Sequence, residues 1–529
     1  MSEHLVALCY ILLIAGVCFA VMAKPLTARL ISREDFALRR NLFLTMTVVT
    51  FLSHSFWVAT LLCALILAIV GRRDRNPVAM YAALLFAVPQ FDMPIPGIGI
   101  VNQLFALNHP RMLALVLLLP ATVRLMSQDR PPNAHLRSMD VMVAAYFSYM
   151  FIVGATADSV TGLMRYTVYV TLDYLLLYYV VTRSIVDRGR LFDVMASVVM
   201  GLAVIGAIGG FENVRNWLVY ESLRTPLGIP PQDLGTYLLR ATEDGGYLRA
   251  YATTGHAIAL GYMAMLAIVF QLALARHYVS RLHAAALVAM PLIGLLASVS
   301  RGPWLGCAIV VTLGLMFGAG ARKRILWMVA AIPVVIAVLL IVPQGQKFID
   351  LLPFVGTVDP GSVDYRTQLI DRAWIVFWQN PIFGSLTYIY NPALEEMRQG
   401  QGIIDIVNTY IGVALPYGIV GLVLFVAPSL YALVVTWTTS RRMAREDPNG
   451  EALGRALSMA LLGIILVIGA VSQIFQVPIV HWFVVALCTA YAAHSPAWRR
   501  LAANAPAASR ARVPNNPGAR PLATPRRHA

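Results

Sequence analysis

The sequence predicts an all-α fold, a polytopic transmembrane bundle of about 14 helices with a long loop before the twelfth span. Three observations carry that reading. Of 529 residues, 59% are hydrophobic and only 13% are charged. Mean hydropathy is +0.70, unlike a soluble domain of this length. Apolar runs long enough for a hydrocarbon core about 30 Å thick recur almost to the C-terminus. Backbone amides must be satisfied within each such run, which leaves the helix as the spanning element.

The first expected span, 5–23, follows Met-Ser-Glu-His, which lacks a basic n-region, so it reads as a retained helix rather than a signal peptide. The spans 47–70, 77–92, 110–126, 139–155, 164–182 and 191–211 follow, separated by short polar loops. After a polar stretch come 254–275, 282–299, 303–319 and 324–343, and after the longest polar interruption come 412–437, 455–474 and 478–494. Basic clusters fall on one side: Arg72, Arg73 and Arg75; Arg124, Arg130 and Arg137; Arg183, Arg188 and Arg190; Arg276 and Arg281; Arg322, Lys323 and Arg324; Arg441, Arg442 and Arg445. The positive-inside rule makes these loops cytoplasmic and, with this number of spans, both termini as well. One loop disagrees: Lys24, Arg29, Arg33, Arg39 and Arg40 would lie outside, so either that loop is an exception or residues 41–70 hold an extra pass.

Residues 1–494 thus read as one membrane domain with two long outer-face segments, 212–253 and 344–404. Residues 495–529 are rich in Ala, Pro and Arg without an acidic residue, the composition of a disordered basic cytoplasmic tail able to touch anionic lipid. The net charge of +15 sits in loops and tail, where it reports orientation and calls for no nucleic acid. The cysteines Cys9, Cys18, Cys63, Cys307 and Cys488 all lie in apolar runs without metal or disulfide spacing. No internal repeat stands out, and no P-loop, GxGxxG, HExxH or GxSxG pattern supports ATP, dinucleotide, zinc-protease or serine-hydrolase chemistry.

Polar residues that could do chemistry gather at the outer face. Ser300-Arg301-Gly302 joins two apolar helices tightly, so Arg301 is either a snorkelling loop residue or a fixed cation for a phosphate. Arg249 precedes Thr253-Thr254-Gly255-His256, where a threonine can cap the next helix and His256 is either satisfied locally or functional. Asp364, Arg366, Asp371 and Arg372 sit on a short amphipathic helix with Leu369, Ala373, Trp374, Ile375 and Phe377, which as a bland surface helix would need only its ion pairs. Asn380-Pro381-Ile382-Phe383-Gly384 makes a turn. Asp405 and Asn408 precede the next span as caps, with Asp405 also a candidate base. Asp173 is an acid near mid-span, where such groups line cavities or pair internally. His54, His481 and Arg165 form no metal-binding pattern.

In this order and spacing, Ser300-Arg301-Gly302, Asp364-Tyr365-Arg366, Asn380 to Gly384, Asn408-Thr409-Tyr410 and Tyr417-Gly418-Ile419-Val420-Gly421 resemble the O-antigen ligase and polymerase superfamily, including Wzy-type exopolysaccharide polymerases. The resemblance is clearest over residues 245–440. It implies an inner-membrane glycosyltransferase that uses glycans on undecaprenyl diphosphate at the periplasmic face, without cofactor or metal. Arg301 and Arg366 then correspond to the family's diphosphate-binding arginines, with Arg249 and Arg372 as further cations and His256 or Asp405 as the base. Where ligases carry a functional His before the post-loop Asn, this chain has Val407, which favours a polymerase that moves the growing chain onto a lipid-linked repeat. A ligase acting on lipid A core, a lipid-linked sugar flippase and an export scaffold are the alternatives. Partners would be the lipid-linked oligosaccharide, the bilayer, and flippase and chain-length or export proteins.

Overall fold

The computed structural model describes residues 2–504 except 98, 100, 129–132, 157–158, 231–238, 241–246, most of 318–359, 399–401, 403 and 446. Helices α1 (Glu3–Thr27), α2 (Arg33–Leu52), α3 (Phe56–Val70) and α4 (Pro77–Leu84) open the chain. Strands β1 (Met93–Pro96) and β2 (Gln103–Leu107) form an antiparallel hairpin with Met93 opposite Leu107. Next come α5 (His109–Met126), α6 (Ala134–Ala155), α7 (Val160–Val170), α8 (Leu176–Ser184) and α9 (Arg188–Arg215). A two-residue pairing of β3 (Leu239–Arg240) with β4 (Tyr247–Leu248) leads to α10 (Ala257–Leu274), α11 (Arg281–Ala297) and α12 (Arg301–Met316). The last part holds α13 (Pro360–Gln379), α14 (Thr409–Met443), α15 (Pro448–Ile468) and α16 (Val477–Asn504).

Among the described residues, nine helical stretches are long and apolar enough to cross a membrane, and α11 and α12 are shorter apolar helices. The chain is therefore an all-α, multi-pass membrane protein. The expected span 324–343 lies largely outside the described residues. Enclosure grades the bundle: the most apolar windows of α9, α10 and α16 are 89%, 83% and 94% buried, against 22% for α6. The first three form the centre, and α6 presents its apolar side chains to lipid.

The expected single span 47–70 is two helices, α2 and α3, broken at Ser53-His54-Ser55. This settles the misplaced basic loop. Arg39, fully buried near the start of α2, donates to Asp74 just beyond α3 and to Asp193 in the first turns of α9. With Nη1 also donating to Ser197 Oγ at 2.8 Å, all five guanidinium protons are used. The loop from Lys24 to Arg40 therefore lies at the same end as Arg72, Arg73, Arg188 and Arg190, as the basic residues demand. At the other end, Trp217 Nε1, beyond the end of α9, donates to Glu3 Oε1 at 2.9 Å. The N-terminus is thus at the end opposite the basic loops, contrary to the expectation that both termini share the cytoplasmic side. The extra pass supplies the physical reason. The C-terminal part of α16 returns to the basic end, where Trp498 Nε1 donates to Val186 O at 2.6 Å. That helix continues to Asn504, so the first residues of the expected disordered tail are helical and docked.

Asp173 proves to be an internally paired acid. It sits in a π-helical turn, Thr171–Leu175, and receives a two-pronged contact from Arg111, with Nε to Oδ1 at 3.0 Å and Nη2 to Oδ2 at 2.8 Å. Arg111 also stacks on Tyr169, 4.0 Å from the ring centroid. The pair ties α5 to the α7–α8 unit beneath the β1–β2 hairpin.

Two outcomes follow from this arrangement. A periplasm-active reporter fused ahead of Glu3 is active while a cytoplasm-active reporter at the C-terminus also works; activity of a cytoplasmic reporter at both ends would overturn the order of passes. Arg39→Ala leaves the buried Asp74 and the part-buried Asp193 without their cation, at a cost of about 3–5 kcal/mol, seen as a lowered Tm of the detergent-purified protein.

Candidate functional site

The site is assembled where helices begin. Helices α10, α12, α14 and α16 all start at the end away from the basic loops, so the positive ends of their dipoles face one region. The segment 469–476, between α15 and α16, is the hub that joins them. Gln476 Nε2 donates to Thr253 O at 3.3 Å, Thr409 Oγ1 donates to Val471 O at 2.7 Å, and Ser472 Oγ donates to Asp405 Oδ1 at 2.9 Å. Among the described residues, the non-glycine positions with left-handed backbone are Asn216, Ala252, Val299 and Phe475. The last three lie in the connections that build the site. For a β-branched residue such as Val299 (φ 45°) this conformation is costly and persists only where surrounding contacts over-determine it.

Those contacts are visible. The fully buried Glu212, in the last turns of α9, accepts hydrogen bonds from the amides of Val219, Tyr251 and Ala252 at 3.2, 3.1 and 2.8 Å. Ala250 N donates to Ala297 O at 3.1 Å, which ties this loop to the end of α11. Neither Thr253 nor Thr254 caps α10, because their hydroxyls donate to Phe86 O and Tyr251 O. The cap is His256, whose Nδ1 accepts from Ile258 N at 3.2 Å. Its pKa is lowered to about 3, first by burial and then by the charge of Arg249. The imidazole is therefore neutral, with its proton on Nε2.

Arg249 Nη2 donates to Ser300 Oγ at 3.0 Å, and that hydroxyl donates on to Ser298 O. No side-chain cap closes the start of α12, so its first turn offers backbone donors and a positive dipole beside Arg301. Arg366 comes from α13, across a long stretch of sequence. Burial and then the Arg301 charge lower its pKa, with Asp405 opposing. Asp405 is shifted upward by burial, partly offset by the Ser472 hydrogen bond and Arg366. Two guanidinium groups and one carboxylate thus share a single electrostatic neighbourhood. Bringing two like charges together costs free energy that a multiply charged anion between them recovers.

The helix α13 is held as a strut. Tyr365 OH donates to Asp405 O at 3.1 Å and accepts from Asp405 N at 3.2 Å. On its buried side Leu369, Ala373 and Val376 pack with Leu394, Met397, Ile404 and Leu415, while Ile370, Trp374 and Trp378 are exposed along another face. Its far end is the turn Asn380 to Gly384, which plugs a break in α14. At Gly418 (φ 63°, ψ −167°) the helix opens, and Ile419 N then donates to Pro381 O at 2.8 Å while Ser385 N donates to Leu415 O at 2.9 Å. A Cβ on Gly384 or Gly418 would meet backbone atoms at 2.5 Å or less, so both glycines are required by close approach. These short motifs are structural joints that hold Arg366 in place.

The sequence-predicted residues therefore divide. Arg301, Arg366 and Asp405 converge, and Arg249 and His256 join them through Ser300 and the α10 start. Arg372 turns away and pairs with Glu396 within the loop. Asn408 is a cap, accepting from the amides of Tyr410 and Ile411. Glu212, Ser472, Phe475 and Gln476 escaped sequence reading, and Tyr365 was read only as part of the Asp364-Tyr365-Arg366 motif. Glu212 carried a signal, an acid in the last turns of an apolar helix, whereas Ser472, Phe475 and Gln476 look like ordinary loop residues.

Residues 285–426 match the family model described as O-antigen ligase. Over those residues the chain is similar to the O-antigen ligase family. No curated protein gives a significant match to the chain. The matched segment contains Arg301, Arg366, Asp405 and both joint glycines, while Arg249 and His256 precede it and the hub 469–476 follows it.

The capping histidine has a pH signature. Its folded pKa of about 3 lies below the ordinary 6.5, so the unfolded chain takes up a proton that the fold refuses. Stability is then full above about pH 6.5 and declines toward pH 3. His256→Asn, which keeps a cap acceptor, makes Tm less sensitive to pH across that window in detergent; an unchanged slope would mean that the imidazole is not held neutral.

Proposed function

We propose that the chain is a membrane glycosyltransferase of the bacterial inner membrane that transfers a growing glycan from undecaprenyl diphosphate onto a lipid-linked repeat unit at the periplasmic face. The observation that carries this reading is the meeting of Arg301, Arg366 and Asp405 at the starts of α12, α13 and α14. The acceptor hydroxyl oxygen attacks the anomeric carbon, the bond from that carbon to the diphosphate oxygen breaks, and the diphosphate leaves with the electron pair. Arg301 and Arg366, with the open start of α12, stabilise the charge that develops on the leaving oxygen. Asp405 takes the acceptor proton: its upward-shifted pKa brings it closer to the working pH than an ordinary aspartate, and Ser472 orients it. His256 is a poor base at a pKa of about 3, and its role is that of a neutral cap whose Nε2–H is available as a donor.

A lipid-linked sugar flippase draws less support, because the intramembrane acid it would use, Asp173, is engaged by Arg111. The family match is shared ground for ligase and polymerase, and Val407 at the position before Asn408 supports the polymerase. Arg301→Ala lowers transfer by about 10²–10³-fold while the protein still inserts. In the native host this appears as single lipid-linked repeats accumulating in place of long polymer. Normal lipid-linked polymer that fails to reach lipid A would mean a ligase, and full polymer yield would remove Arg301 from the reaction. With Asp405→Asn, in vitro transfer drops and loses the wild type's decline at acid pH, where the carboxylate would be protonated.

A further inference from the structure

A groove of ≈ 750 Å³ opens at the site end of the bundle, between the start of α1, the α2–α3 break and the segment after α9. Its walls include Glu3, His4, His54, Trp217, Glu221 and Leu248. The lining is mostly apolar in area, with carboxylates, imidazoles and an indole set into it, and its volume is within the size range of small-molecule sites. No lysine or arginine lines it among the described residues, so it is ill suited to a phosphate. Carboxylates, imidazoles and an indole are instead the groups that accept from and donate to sugar hydroxyls while an aromatic surface covers apolar C–H edges.

The indole is positioned in advance. Trp217 Nε1 donates to Glu3 Oε1 at 2.9 Å, and the ring packs against Tyr10 and Phe211 with centroids 6.1 and 6.4 Å away. The groove also shares a wall with the reaction site. Leu248 lines it, its carbonyl accepts from Asn213 Nδ2 at 2.6 Å, and the next residue is Arg249, bound to Ser300. On the same wall, Tyr251 OH donates to Glu221 Oε1 at 2.6 Å. Residues 248–251 therefore face the groove with one part and the candidate site with another.

We infer that this groove is a glycan-binding subsite, which takes uncharged or amino sugars of the chain undergoing transfer and holds them beside the diphosphate-binding arginines. The inference rests on the transferase reading. It separates the molecule into a cationic site for the diphosphate and a groove for sugar that, among the described residues, no arginine or lysine lines, joined through residues 248–251.

The test uses full-length protein in lipid nanodiscs and, as probe, oligosaccharide repeats released by mild acid from the host's own lipid-linked precursor, with binding read by calorimetry. Saturable binding by the wild type and by Arg301→Ala, not displaced by inorganic diphosphate, together with at least tenfold weaker binding by His54→Ala and Trp217→Ala, supports the subsite. His54 is exposed, so its replacement keeps the test sound if removal of Trp217 disturbs the packing with Tyr10 and Phe211. In the host, His54→Ala gives shorter chains while transfer persists. No binding by the wild type, or wild-type affinity and chain length in both variants, overturns the inference. Normal polymer in a host from which the gene is deleted would count against the transferase reading alone, because the binding arms do not depend on turnover.

Discussion

In a bilayer a backbone amide or carbonyl without a partner costs several kcal/mol, and that constraint governs how this chain can depart from regular helix. Each departure near the site is matched by a group from elsewhere. Glu212 takes three amides of the loops that precede α10, the turn at Pro381 and Ile382 takes those freed by the opening of α14 at Gly418, and His256 and Asn408 close two helix starts. The irregular backbone that a reaction site needs exists here because these acceptors are supplied.

The same constraint sets the electrostatics. A buried arginine is tolerated where every proton is used, as with Arg39, or where a carboxylate meets it squarely, as with Arg111 and Asp173. Those cations are consumed by architecture. Arg301 and Arg366 differ in kind, since each raises the cost of the other's charge and Asp405 only partly offsets it. Such a pair fits a ligand of higher negative charge than a single carboxylate, placed at helix ends whose dipoles already favour an anion. Architecture and candidate site are thus distinguished by how their charges are balanced, more than by burial.

Much of the fold was legible in the sequence because its signal is local. The spans, the tight Ser300-Arg301 connection and the amphipathic pattern of residues 369–377 all follow from which residues stand next to one another. The misreading of 47–70 has an equally plain cause. The α2 helix carries Arg33, Glu34, Asp35, Arg39 and Arg40 in its first turns, so its hydropathy is low, and Arg39 becomes compatible with burial only through Asp74 and Asp193. No window of sequence contains those partners.

By itself, then, the sequence determined the class, the gathering of its basic loops at one end, and which arginines stand at the other, because bilayer thickness and charge placement act on contiguous residues. The tertiary structure alone decided which of those arginines meet. It brought Arg366 to Arg301 and Asp405, sent Arg372 to Glu396, made His256 a neutral cap, and placed the hub 469–476 among four helix starts. Such choices depend on residues far apart in the chain competing for the same hydrogen bonds, a competition settled only when the helices pack.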